Sequence, residues 1–234
     1  MTRLTEAARG VYVIAVTPFE ESGALDLESV DRMVDFYEEA GVDGLTVLGQ
    51  LGEALGDTPF VLQDYPLTTN VTIAPKVIDR IVKDVPNCVM LKHEDWPGLA
   101  KITALRASSD KGETRRISIL CGNGGLFLPE EMGRGADGAM TGFCYPEMMV
   151  GVVREHTAGN VDRAAELFAA YLPLARYEQQ QGIGLAARKY VLAKRGVIKS
   201  GALRKPRPVL SALDIGDVER LLAAQTKRLA EIGA

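Results

Sequence analysis

Cys88-Val89-Met90-Leu91-Lys92-His93-Glu94-Asp95-Trp96-Pro97 is the stretch on which the fold turns. Cys88 to Leu91 are all apolar. A continuous run of this kind reads as a strand buried on both faces, as a parallel sheet requires. Polar residues follow, and a helical pattern starts near Gly98. Lys92 therefore sits where a buried strand ends and a βα loop begins. In parallel α/β folds that edge of the sheet is where chemistry is done.

Outward from this stretch the alternation repeats. Val11 to Val16 reads as a strand closed by Thr17-Pro18-Phe19. Leu27, Val30, Met33, Val34 and Tyr37 recur at the helical period, with Asp26 placed to cap the start and Gly41 the end. Leu45 to Leu48 is a second strand, followed by Gly49-Gln50-Leu51-Gly52-Glu53. Downstream, the pattern predicts strands over Phe60 to Gln63, Ile117 to Cys121 and Gly138 to Met140, and helices over 75–85, 98–107 and 126–132. Asp64 to Thr69 reads as a loop. Four helices, near 146–158, 160–178, 183–195 and 214–232, complete the chain.

Six strands alternating with helices give a parallel α/β fold. The first strand ends in Thr-Pro-Phe and lacks the Gly-x-Gly-x-x-Gly of a dinucleotide-binding sheet. Polar and glycine-rich strand ends instead predict a TIM-type (β/α)8 barrel with additional C-terminal helices. Only six strands are visible, about two strand–helix units short of a complete barrel. The rhythm breaks in one place. About a dozen residues, rich in Gly, Asp and Pro, separate Leu48 from Phe60, too few for a strand-to-strand crossover with its helix. The expected organisation is a barrel domain over 1–158, interrupted near 54–58, and a C-terminal helical region over 159–234 packed on it.

Composition narrows the function. With 47% hydrophobic and 25% charged residues and a net charge of −4, the chain is an ordinary globular protein with no basic excess for nucleic acid or anionic membranes. No apolar run approaches the ~20 residues of a membrane span, and the first residues lack the apolar core of a signal peptide, so a cytoplasmic protein is expected. The three cysteines, Cys88, Cys121 and Cys144, fall in or beside predicted strands and fit reduced thiols. The two histidines, His93 and His156, lie at no metal-ligand spacing, so no metal is expected.

A lysine at the top of a barrel is disfavoured in its charged form, and its free amine attacks a ketone to form a Schiff base. Position alone fits Lys92 equally as that nucleophile or as a lysine snorkelling at a strand end or paired with Glu94 or Asp95. The loop from Gly49 through Gln50, Leu51 and Gly52 to Glu53 either offers backbone N–H groups to a carboxylate or phosphate, or is a tight turn. Gly122 and Asn123, opening Gly122-Asn123-Gly124-Gly125, allow the same two readings. Tyr65, two residues beyond Gln63, is either a proton relay or an aromatic packed under a loop. His93 and Trp96 read as loop packing, and His156 as solvent-facing.

Val-Thr-Pro-Phe at 16–19, Gly-Val-Asp-Gly-Leu at 41–45, Gly-Gln-Leu-Gly-Glu at 49–53, the lysine strand at 88–92 and Gly-Ala-Asp-Gly-Ala-Met-Thr at 135–141 occur in an order that resembles the dihydrodipicolinate synthase/N-acetylneuraminate lyase family. These are class I, Schiff-base aldolases on (β/α)8 barrels with extra C-terminal helices. The resemblance implies a lyase or aldolase acting on pyruvate or a related 2-oxo acid, with Lys92 as the Schiff-base lysine; Tyr65, in its proton-relay reading, is the candidate catalytic residue beside it. It implies substrate contacts at Gly49, Gln50, Leu51, Gly52, Gly122, Asn123, Met140 and Thr141. It also implies no cofactor beyond the covalent lysine adduct, a small-molecule partner and a homo-oligomer.

This sequence departs from the family pattern in two places. Gln50 and Leu51 replace a Thr-Thr pair, which removes a hydroxyl relay. Aligned on Pro66, the place of the family's tyrosine is held by Gln63, with Asp64 next and Tyr65 after. Two alternatives therefore stand beside a synthase-like enzyme: a 2-oxo-3-deoxy sugar acid aldolase or dehydratase, and a catalytically impaired member acting as a binding protein. The family pattern also carries strand–helix units between the Gly-Glu loop and the Pro66 strand that are missing here. A deletion, strands lent by a partner, or residues absent from the sequence would each account for the gap.

Overall fold

The computed structural model describes residues 5–14, 18, 20, 22, 26–46, 59–96 and 98–234. Its strands are β1 (Gly10–Ile14), β2 (Gly44–Thr46), β3 (Phe60–Asp64), β4 (Cys88–His93), β5 (Ser118–Cys121) and β6 (Gly138–Thr141). Helix α1 (Leu27–Glu39) follows β1, while α2 (Pro66–Thr69) and α3 (Pro75–Asp84) separate β3 from β4. Helix α4 (Leu99–Asp110) follows β4, α5 (Leu128–Met132) follows β5, and α6 (Pro146–Thr157) follows β6. The remainder is helical: α7 (Val161–Glu178), α8 (Gly184–Lys194) and α9 (Ala212–Glu231).

Among the described residues the strands form one sheet in the order β2-β1-β6-β5-β4-β3, and every pairing is parallel. The first strand pairs with the last, through Tyr12↔Met140 and Val13↔Thr141. That contact is the one that closes a barrel; here the sheet is open elsewhere, between β2 and β3. The opening coincides with the broken rhythm of the sequence. The described sheet is therefore a six-stranded parallel one and not a closed (β/α)8 barrel. Without further strands the shear and tilt of an eight-stranded cylinder cannot be met.

Local chemistry accounts for the elements. Asp26 caps α1 by accepting from Ser29 N–H at 3.0 Å, and Gly41, at φ +75°, follows the helix end. The segment expected as a loop after β3 contains one helical turn, because Pro66 supplies a preset φ at the first helical position. Helix α4 runs on to Asp110 before Gly112, at φ +72°, turns the chain. Strand β4 is buried throughout. Leu91 on one face packs with Ile78, Ile102 and Ile119 under α3 and α4, each at most 1% exposed. Each such side chain contributes about 1.5–3 kcal/mol. The opposite face carries a second apolar cluster, Val89, Met90, Leu120 and Met140, bordered by Tyr12 and Val61. The largest cluster runs from β1 through α5 and α6 into α7, α8 and α9, so the C-terminal helices share the core of the sheet.

Candidate active site

Alternation along β4 places Lys92 on the face of Met90, above the inner apolar cluster. Its side chain is 10% exposed, and Nζ lies 3.3 Å from Glu94 Oε2. Sheet register sets Gln63 of β3 directly beside Lys92, and Leu120 of β5 on the other side. Gln63 donates through Nε2 to the same Glu94 Oε2. The other carboxylate oxygen, Oε1, accepts from Asn123 N–H at 3.3 Å, and Asn123 Nδ2 donates to the Glu94 carbonyl at 2.8 Å. Glu94 is thus a buried carboxylate held from three elements against a buried amine.

Two glycines permit this. A Cβ on Gly122 would lie 2.1 Å from Glu94 Cγ, so only glycine leaves room for the carboxylate arm. Gly124, at φ +64°, donates its N–H to Thr141 Oγ1 at 2.7 Å, and Gln179 at the end of α7 lies across its α-carbon. The glycine-rich turn after β5 is therefore a site wall joined to β6 and to the C-terminal helices.

On the outer face, His93 Nδ1 lies 3.0 Å from Glu131 Oε1 of α5, and the imidazole is 1% exposed. His93 is thus an interior residue of the helix–sheet layer and not loop packing. Trp96 is 47% exposed and stacks edge-to-face on Phe127 at 5.7 Å. His156 is half-buried beside a cleft lined by Arg9, Asp137 and Val153, where a solvent-facing position was expected. Cys88, Cys121 and Cys144 are buried free thiols. Burial, reinforced by Glu131, pushes the Cys121 thiol well above its usual range. Among the described residues no group of three His, Cys, Asp or Glu side chains is arranged to hold a metal.

Lys92, Gly122, Asn123 and Thr141 come together here, with Met140 in the apolar floor. Tyr65 lies one residue beyond β3, which ends at Asp64, and is the N-cap of α2. Gly49, Gln50, Leu51 and Gly52 lie outside the described residues. Sequence reasoning named Glu94 as a pairing partner of Lys92 and Gln63 as the residue in the family tyrosine's place, but gave neither a role in the site. The signal for Glu94 was its i+2 spacing from Lys92, which puts both on one face of an extended chain.

A family model, the Dihydrodipicolinate synthetase family, matches residues 7–56 and 54–225. The chain belongs to this family. The two matched blocks overlap at 54–56, in the stretch where the strand rhythm of the sequence breaks. Among solved structures of the family, a dihydrodipicolinate synthase from Rhodopseudomonas palustris is 43% identical, with a TM-score of 0.91 over 96% of this chain and 100% of that one. An L-2-keto-3-deoxyarabonate dehydratase from Azospirillum brasilense is 25% identical over 285 residues, spanning 88% of this chain and 91% of the relative. That alignment is longer than the 234 residues here, so the dehydratase carries residues with no counterpart in this chain. A prophage protein from E. coli K12, of the dihydrodipicolinic acid synthase family and solved in complex with pyruvate, shares the fold at 17% identity, with a TM-score of 0.78 over 94% of this chain and 99% of its own.

Proposed function

We propose that this family member is a Schiff-base-forming lyase or aldolase acting on pyruvate or a related 2-oxo acid, with Lys92 as the nucleophile. The observation that carries the reading is the burial of Lys92 at the C-terminal end of a central strand, at the place the family resemblance gives to the Schiff-base lysine; its pairing with Glu94 supplies a neighbouring base. The pair sets a lysine nucleophile 3.3 Å from a carboxylate base. Transfer of a proton from Lys92 to Glu94 frees the amine, which bonds to the substrate's C2, and the carbonyl oxygen departs as water. The resulting iminium draws electrons from C3, and loss of a C3 proton to the Glu94 carboxylate gives the enamine. No cofactor is needed, because the protonated imine is itself the electron sink.

Glu94 also favours one reaction within this class. With Gln63 where the family pattern has tyrosine, the ionisable side chain paired with Lys92 is a carboxylate. A carboxylate that has taken the C3 proton is placed to return it to a hydroxyl leaving from C4, which dehydrates a 2-oxo-3-deoxy acid. The likeness to an L-2-keto-3-deoxyarabonate dehydratase supports this second reading. The family resemblance further supports a cytoplasmic homo-oligomer, which sedimentation of the purified chain measures.

Incubation with pyruvate and borohydride tests the main reading. A reduced adduct on Lys92, found by peptide mass mapping and lost in Lys92→Ala, is the expected result. A folded protein that traps no 2-oxo acid would be a binding protein. Release of water from a 2-oxo-3-deoxy pentonate, against condensation of pyruvate with an aldehyde, separates dehydratase from aldolase.

A further inference from the structure

Behind the site lies a second buried lysine. Lys101, in the first turn of α4, has a side chain 6% exposed. Its Nζ is 2.5 Å from Asp64 Oδ2 and 2.7 Å from Asp95 Oδ2. An ammonium in this place is disfavoured twice, by loss of water and by the positive end of the helix dipole. The two carboxylates are what hold it. Asp64 depends on Lys101 in turn: it is fully buried, and its Oδ1 has no hydrogen-bond partner among the described residues.

The carboxylates that Lys101 binds are the chain neighbours of the site residues. Asp64 follows Gln63 at the end of β3, and Asp95 follows Glu94 beyond β4. Between them, Glu94 N–H donates to the Asp64 carbonyl at 3.0 Å. Alternation turns Gln63 to the inner face and Asp64 to the outer, where Lys101 waits. One cation thus clamps the ends of two strands from outside, and each clamped residue carries a site residue beside it. Lys101 also occupies Asp95, so that Glu94 is the carboxylate paired with Lys92.

We infer that Lys101 is a positioning residue, which fixes Gln63 and Glu94 against Lys92 by binding the neighbouring Asp64 and Asp95. The inference rests on the reading of Lys92 and Glu94 as the reacting groups. It predicts that loss of the clamp slows the proton transfers at Glu94, while Lys92, held by its own strand, still forms the adduct.

The test uses the full chain with Lys101→Met, Lys101→Arg, and a triple variant, Lys101→Met with Asp64→Asn and Asp95→Asn, which removes all three buried charges if the single change prevents folding. In folded Lys101→Met, or in the triple variant, kcat for the 2-oxo acid is expected to fall ~10–100-fold while KM stays within about threefold. Borohydride trapping on Lys92 should persist, and Lys101→Arg should recover most of kcat. The side-chain amide signal of Gln63, assigned by its loss in Gln63→Ala, should move from a carboxylate-bonded to a free position in both methionine variants and not in the arginine one. An unmoved Gln63 signal in a folded methionine variant would overturn the inference whether or not the enzyme turns over. So would wild-type kcat in the triple variant. Absence of a Lys92 adduct in the parent protein defeats the Schiff-base reading instead, and leaves the Gln63 signal to decide the clamp.

Discussion

Lys92 Nζ and Gln63 Nε2 converge on a single oxygen, Oε2 of Glu94, from adjacent strands whose register pairs the two donors. A carboxylate so held keeps its aim while it gains and loses a proton. Glu94→Gln preserves the shape and removes the base. It is expected to lower kcat by ~10²–10⁴-fold and to slow the build-up of borohydride-trapped adduct on Lys92, because the freeing of the amine and the C3 proton transfer lose the same base. Steady-state kinetics and peptide mass mapping on the same preparation check both halves.

Gly122→Ala attacks the same carboxylate without touching any ionisable group. The added methyl would lie 2.1 Å from Glu94 Cγ, so the arm must swing aside. Turnover is expected to fall ~10–100-fold, with a loss of stability of about 1–3 kcal/mol from overpacking. Urea denaturation and kinetics together distinguish this from general unfolding.

Alkaline pH probes the core. Burial raises the Cys88 thiol above its free value of 9.0, and raises Cys121 and Cys144 well above it. Burial also pushes the phenols of Tyr37 and Tyr171 up to about 12 from 10.0. The folded chain therefore holds these protons more tightly than the unfolded one. The associated stability is fully present below the unfolded values and is lost as pH rises through the folded ones. Tm measured across the alkaline range is expected to hold steady to about pH 8, to decline from about pH 9 and to drop faster above about pH 10. Iodoacetamide at neutral pH should leave all three cysteines unlabelled in the native protein and label them in urea.

The open side of the sheet gives a fourth expectation. Grafting, between Glu53 and Thr58, the strand–helix units that the family pattern carries there should supply partners for both described edges. Tm is expected to rise by at least ~4 °C, and the amides of Phe60 to Asp64 should exchange more slowly with solvent. Unchanged exchange in a folded graft would show that the units do not pair there.

The parts of the molecule legible in the sequence were those set by local pattern. The apolar run before Lys92, the Asp26 cap and the Gly41 stop each depend on neighbours in the chain, and the structure has them. The break in rhythm near 54–58 is likewise a matter of local pattern, since a crossover helix has a minimum length, and those residues lie outside the described ones. What escaped was set by partners distant in sequence. Glu94 owes its place to Gln63 and Asn123, and Lys101 is buried only because Asp64, 37 residues away, meets it there. His93 looked like a loop residue until Glu131, 38 residues on, was brought under it by α5. Such pairings leave no periodic trace.

The order of strands has one more consequence, for how the protein behaves in company. Among the described residues β3 is the last strand on its side, and it is the strand that carries Gln63. One row of its peptide groups faces away from β4. In cellular terms that row is adhesive, a template onto which another extended segment can be laid. A strand laid there would lie directly beside Gln63, whose register partner on the next strand is Lys92.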